Sequence, residues 1–160
     1  MQDRQAERIS ALEHAKEQLI ARASALPEAQ QAQPPDAAED DLLPFLRRYY
    51  RHVAPEDLVG RRVEDILDAP MAHRELAARR PQGTASVRVR TPDTEGHSVV
   101  EVVCDDMPFL VDSVTAELSR HDRAIHLVIH PQLVVRRDVA GDLLAVCDAS
   151  TLAAAGPQCE

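Results

Sequence analysis

The chain has 160 residues, 44% of them hydrophobic, enough to bury one sizeable core or one core with an appended helical segment, but not two full domains. Its formal net charge of -9 argues against a nucleic-acid or anionic-membrane surface, because neutralising phosphates takes clustered Lys and Arg. Cys104, Cys147 and Cys159 form no CxxC pair, no apolar run approaches the about 18 residues that span a bilayer, and the N-terminus lacks a signal-peptide core, so a soluble cytoplasmic chain is expected.

Over residues 3–26, Ile9, Leu12, Leu19, Ala23 and Leu26 fall on one face of an N-terminal helix, with Glu and Arg around them. The chain's one lysine, Lys16, reads as part of that helix's exposed polar face. Residues 27–41, PEAQQAQPPDAAEDD, lack any large apolar side chain and read as a linker.

A helical cluster is expected over 42–81. Residues 42–53 put Leu42, Phe45, Leu46, Tyr49 and Val53 on one side, with Pro44 tolerated near the start; the aromatic rings read as packing. Pro55, Glu56 and Asp57 favour a fresh turn, Gly60 breaks it, and 63–80 reads as two short helical pieces interrupted at Pro70. Arg47, Arg48 and Arg51, and then Arg79 and Arg80, read as solvated charge or as complements to helix dipoles.

Residues 84–160 carry the most specific pattern. Val87 and Val89 alternate with Arg88 and Arg90 in a strand over 86–90, and 91–96 is a turn. The run VVEVVC over 99–104 reads as the hairpin partner, a strand buried on both faces, with Cys104 a small buried hydrophobe. Asp105 and Asp106 stand where a helix leaves backbone N–H groups unpaired, and Pro108 is tolerated in a first turn, so a helix capped by these acids should begin at about Met107. Leu110, Val111, Val114 and Leu118 form its packing side, and Asp122 is placed to take the left-handed conformation that ends it. Ile125, Leu127 and Ile129 then alternate with His126, Val128 and His130 as a strand. A turn at 138–142, a short run at 143–147 and a tail of Ala, Gly and Pro complete the chain.

Groups able to do chemistry are sparse. His126 and His130 have the spacing that pairs metal ligands on a helix, but four residues of strand extend about 13 Å, too far for two rings to share one ion. His73, His97 and His121 add no ligand spacing, so no metal site is expected. Asp105 and Asp106 invite a paired-carboxylate reading, yet capping accounts for them. There is no GxGxxG, Walker or nucleophile-elbow pattern, and the five glycines are widely separated, so no catalytic or cofactor-binding residue is expected.

A strand, an acid-capped helix and another strand resemble the opening of an ACT domain, the ferredoxin-like βαββαβ regulatory module of amino-acid metabolism. The wording is more specific. DDMPFLVDSVTAEL followed by AIHLVIHPQLVVRRD, with LLPFLRRYYRHVAPEDL and ARRPQGTASVRVRTP before them, resembles the N-terminal region of the large bacterial NAD-specific glutamate dehydrogenases over about residues 40–145. The resemblance implies an α+β fold: N-terminal helices followed by a partial ACT-like sheet, truncated before closure because a second helix and a fourth strand are missing.

It also implies a regulatory or assembly part of an enzyme that oxidises L-glutamate to 2-oxoglutarate and ammonia with NAD, this piece itself binding no cofactor. The catalytic lysines and the NAD site would lie elsewhere in the polypeptide. Expected partners are that remaining polypeptide and further copies in a homo-oligomer. By analogy with ACT modules, Asp105, Asp106 and Met107 would border an amino-acid effector site, although two acids at the positive end of a helix oppose a carboxylate ligand. The other reading is a free-standing ACT-like amino-acid-binding or adaptor protein without enzymatic activity. An incomplete sheet would expose an apolar edge, so poor solubility or association of the isolated piece is expected.

Overall fold

The computed structural model describes residues 2–31, 42–91 and 96–147. The later part of the expected linker, most of the turn before the second strand, and the tail with Cys159 lie outside them. The described residues show an α+β chain of six helices and four strands: α1 Gln2–Ser24, α2 Pro27–Gln31, α3 Leu42–Tyr49, α4 Pro55–Leu58, α5 Val63–Ala77, β1 Ser86–Arg90, β2 Val99–Val103, α6 Leu110–Arg120, β3 Val134–Arg137 and β4 Leu143–Cys147. They divide into two compact units, one drawn from 1–70 and 109–132, the other from 71–108 and 133–160.

The first unit holds the helical core. Leu19, Ile20 and Ala23 of α1 are buried, as are Leu42, Phe45, Leu46 and Tyr49 of α3, followed by Tyr50, Val53, Leu58, Ile66 and Leu67. Phe45, Tyr49 and Tyr50 form a chain of tilted and edge-on rings, 6.0 and 5.1 Å between successive centroids, which is packing as expected. Pro27–Gln31, read as linker, is a short helix whose Ala29 is buried.

Lys16 departs further from expectation. It is 7% exposed, and its Nζ donates to the Val53 carbonyl at 2.7 Å. Sequence periodicity placed it on a polar face. The long apolar stem can instead cross the interface while the ammonium satisfies a carbonyl just beyond α3, a position that favours positive charge.

Pro70 does not divide α5, which runs unbroken from Val63 to Ala77. A proline inside a helix removes the N–H that would bond the carbonyl four residues earlier, here Ile66. The hydroxyl of Tyr50 donates to that carbonyl at 2.9 Å, inside the core, and so replaces the missing donor.

α6 starts at Leu110, later than Met107, with Phe109 in the N-cap position at φ +62 and 76% exposed. Phe109 supplies no side-chain cap, and the carboxylate of Asp105, expected to cap this helix, is instead held by Arg80 and the Gly83 N–H. The apolar stripe of α6 is only half-buried, and Asp122 takes the expected left-handed conformation at φ +53. The run at 125–129 forms no strand. Leu127 and Ile129 remain more buried than Val128 and His130, so the alternation persists, but a strand needs a second segment to complete its ladder and none among the described residues pairs here.

The second unit contains two separate antiparallel pairs, β1–β2 and β3–β4. The expected hairpin of β1 and β2 forms, with Val87 opposite Val102, Arg88 opposite Glu101 and Val89 opposite Val100. β2, expected to be buried on both faces, leaves Val100 exposed, and the amphipathic β1 turns its valines outward and its arginines inward. Glu101 is 5% exposed, whereas Val87 and Val89 are 62% and 64% exposed. The charged side is satisfied by its neighbours: Arg88 Nε donates to Glu101 at 2.8 Å, and its Nη atoms reach Glu75 and the Ala72 carbonyl on α5. Three partners for one guanidinium outweigh the preference of valine for burial.

β3 and β4 pair around a turn in which Asp138 Oδ1 accepts the N–H groups of Ala140 and Asp142, both at 2.9 Å. Gly141 lies against the chain leaving α5, its carbonyl accepting Arg80 N–H at 2.9 Å, while Leu143 N–H donates to Ala78 at 2.8 Å.

Candidate functional site

The residues proposed from sequence for an effector, Asp105, Asp106 and Met107, lie in the loop between β2 and the start of α6. All three are exposed. The structure gives Asp105 a specific environment. Its Oδ1 accepts Arg80 Nη2 at 2.5 Å and its Oδ2 accepts the N–H of Gly83 at 3.1 Å, so both oxygens are engaged. The Arg80 hydrogen bond is the main cause holding the Asp105 carboxyl below its ordinary pKa, with the charge of Arg80 and the Gly83 N–H acting in the same direction.

Arg80 is 6% exposed, unlike the solvated charge expected from sequence. Its position follows from the chain around it. The backbone leaving α5 is clamped to Gly141, Nη1 donates to Thr84 at 2.8 Å, and Nη2 holds Asp105. Arg137, at the end of β3, completes the cluster. Its Nη1 donates to the carbonyls of Ala77, at 2.7 Å, and Gly141, at 3.0 Å, so it caps the C-terminal end of α5. Burial chiefly, then the positive charge of Arg80, lowers the Arg137 pKa, while Asp105 opposes that shift.

Sequence reading missed both arginines as members of this group. The string RRPQGT contains a signal only in hindsight: a basic residue and a turn glycine close enough to grip one carboxylate from two sides. Arg137 is 57 positions beyond Arg80, so no local pattern joins them.

A second feature lies in the first unit. His52, Asp57 and His126 line a shallow groove of about 300 Å³ beside the extended run at 125–128. Among the described residues, no three His, Cys, Asp or Glu side chains form a group able to hold a metal ion. No described helix is long and apolar enough to cross a membrane.

Residues 45–158 match the family model described as "Glutamate dehydrogenase, ACT1 domain". The chain belongs to this family. It is 33% identical over 114 residues to the NAD-specific glutamate dehydrogenase of Pseudomonas aeruginosa, a match covering 68% of this chain and 7% of that protein. It is 36% identical over 108 residues to the NAD-specific glutamate dehydrogenase of Halomonas elongata, covering 64% of this chain and again 7% of the relative. No solved structure matches. The matched ACT1 residues contain the whole Arg80–Asp105–Arg137 cluster.

Proposed function

We propose that this chain is a regulatory or assembly part of an NAD-dependent glutamate dehydrogenase, N-terminal to a catalytic region that oxidises L-glutamate to 2-oxoglutarate and ammonia with reduction of NAD. The family match over 45–158 carries this reading, and the relatives of that name, of which the matched stretches are 7%, support it. Within the module, the two strand pairs are parts of an ACT-like sheet. Asp105, Asp106 and Met107 border the effector position, and the complete enzyme works as a cytoplasmic homo-oligomer.

The residues of this chain favour a role away from the chemistry. Lys16 is committed to a backbone carbonyl in the core, and a lysine so placed cannot bind or activate a substrate. The NAD site and the reacting groups accordingly belong to other parts of the polypeptide. Expression of the gene's complete reading frame tests this directly. L-Glutamate-dependent NADH formation is expected, and a polypeptide that ends near Glu160, or a longer one that leaves NAD unreduced with L-glutamate, would refute it. The effector position is tested in the same enzyme by Asp106→Asn and Met107→Ala, which should alter its response to added amino acids while leaving the rate without effector unchanged.

A further inference from the structure

Between Phe109 and Gln132 no residue is buried, although the segment carries the apolar stripe of α6 and the apolar run at 124–130, AIHLVIH. That run keeps a strand's alternation without a strand's partner. Leu127 and Ile129 are half-buried, Ile125, His126, Val128 and His130 are exposed, and among the described residues the backbones of Ile125, Leu127, Val128 and Ile129 make no hydrogen bond. Backbone donors and acceptors among apolar side chains call for partners. The sequence of the run is that of an interior strand, rich in β-branched residues and free of Lys and Pro, whereas strand edges meant to stay open are blunted by charge, proline or bulges. Arg123 and Pro131 bound it, and Pro131, lacking an N–H, ends any ladder there. The groove beside 125–128 has His52, Val53, Ala54 and Asp57 along its other wall, and it gives an extended chain access to these backbone groups.

We propose that 124–130 is a docking strand, which takes up an extended, amphipathic segment of the same polypeptide from outside these 160 residues by strand addition along the groove. This rests on the reading above that the chain is part of a longer enzyme, the matched stretches being 7% of each relative. The main chain sets the occupant's conformation, since a row of unpaired N–H and C=O groups is matched by another extended chain. The alternation sets its side chains. Neighbouring residues of paired strands share a face, so the added segment carries apolar residues beside Leu127 and Ile129 and polar ones beside His126 and His130. Covalent linkage favours this occupant over a second copy. Two copies joined through this run alone would form one two-stranded ladder, which is marginal in water, and would also lose translational freedom. A segment on the same polypeptide docks intramolecularly, at high effective concentration.

Amide hydrogen exchange, read by mass spectrometry on the product of the complete reading frame and on the 160-residue chain, tests this. Amides at 124–130 should exchange at least about a hundredfold more slowly in the complete polypeptide. Val128→Pro removes an N–H that this chain leaves unbonded, so in the complete polypeptide the helices over 42–70 should keep their protection while 125–129 loses at least about tenfold. A benzophenone cross-linker in place of Val128, in a mixture of isotopically light and heavy polypeptide, identifies the occupant. A product joined to a residue outside 1–160 of the same copy upholds the proposal. Equal exchange at 124–130 in the two proteins, protection unaffected by Val128→Pro, or a cross-link to a second copy or within residues 1–160 would overturn it. Open amides at 124–130 in a polypeptide that oxidises L-glutamate refute the docking strand alone, and protected amides in one that leaves NAD unreduced refute the assigned enzyme alone. A reading frame that ends near Glu160 refutes both.

Discussion

Pro70 deprives the Ile66 carbonyl of its helical donor, and Tyr50 restores it from 16 positions away in the sequence. Burial pushes the Tyr50 hydroxyl well above its ordinary pKa, so it remains a proton donor throughout the working range. Tyr50→Phe should therefore cost about 1–3 kcal/mol, the penalty for a buried carbonyl left unpaired. In a Pro70→Ala background the new backbone N–H can take over, and the same substitution should cost about 1 kcal/mol less. Denaturant unfolding of the two single variants and the double variant measures this difference; equal costs in both backgrounds would refute the substitution of one donor for another. Asp105 gives a second prediction at this scale. Its folded pKa is depressed, so its stabilisation is fully present above the unfolded value of roughly 3.9 and disappears as pH falls through the lower folded value. Wild type should exceed Asp105→Asn in stability by about 1 kcal/mol near neutrality, the worth of a half-exposed pair screened by solvent, and the gap should close below about pH 4. Thermal melts of both proteins at several pH values would show whether the gap closes on the acid side.

At the scale of the element, the structures legible in sequence are those whose cause is local. The amphipathic run of α3, the turn at Gly60, the left-handed Asp122 and the β1–β2 hairpin all follow from residues near one another. The features that were not legible depend on distant partners. Continuity of α5 needs Tyr50, the outward-facing valines need Arg88 bound to Glu75 and Glu101, and Asp105 leaves the capping position because a buried arginine 25 residues earlier requires an anion. The alternation at 125–129 is a true strand pattern, but pairing is a property of two segments and one sequence window cannot supply the second. The same reasoning fixes the importance of Gly141. It joins the β3–β4 turn to the chain leaving α5, has φ +89, and a Cβ there would stand 2.6 Å from the backbone carbon and oxygen of Arg80. Gly141→Ala should destabilise the second unit by about 3 kcal/mol through left-handed strain and overpacking together. Hydrogen exchange should show the largest loss of protection at Arg80 and Leu143, whose N–H groups bond across this approach. Unchanged protection there would contradict the assigned contact.

For the molecule as a whole, the outward valine face of β1–β2 governs how the isolated chain should behave. Val87 faces Val102 and Val89 faces Val100 across the two strands, so the exposed side chains form one contiguous apolar surface. Among the described residues the sheet has two strands, so its outer edges have no strand partner, although the Val102 carbonyl lies 3.1 Å from His73 Nε2. A net charge of -9 opposes close approach between copies, and that repulsion weakens as salt is added. Apolar association is not weakened in this way, so the isolated chain should self-associate increasingly with concentration and with ionic strength. Val87→Thr combined with Val89→Thr keeps β-branched side chains on the strand while making the surface polar. The double variant should remain monomeric under conditions in which the parent chain associates, with the fold retained because the Arg88–Glu101 face is untouched. Sedimentation velocity at low and high salt compares the two, with far-ultraviolet circular dichroism as the check on folding. A parent chain that stays monomeric at high salt, or a folded double variant that associates equally, would show that this valine surface does not drive association.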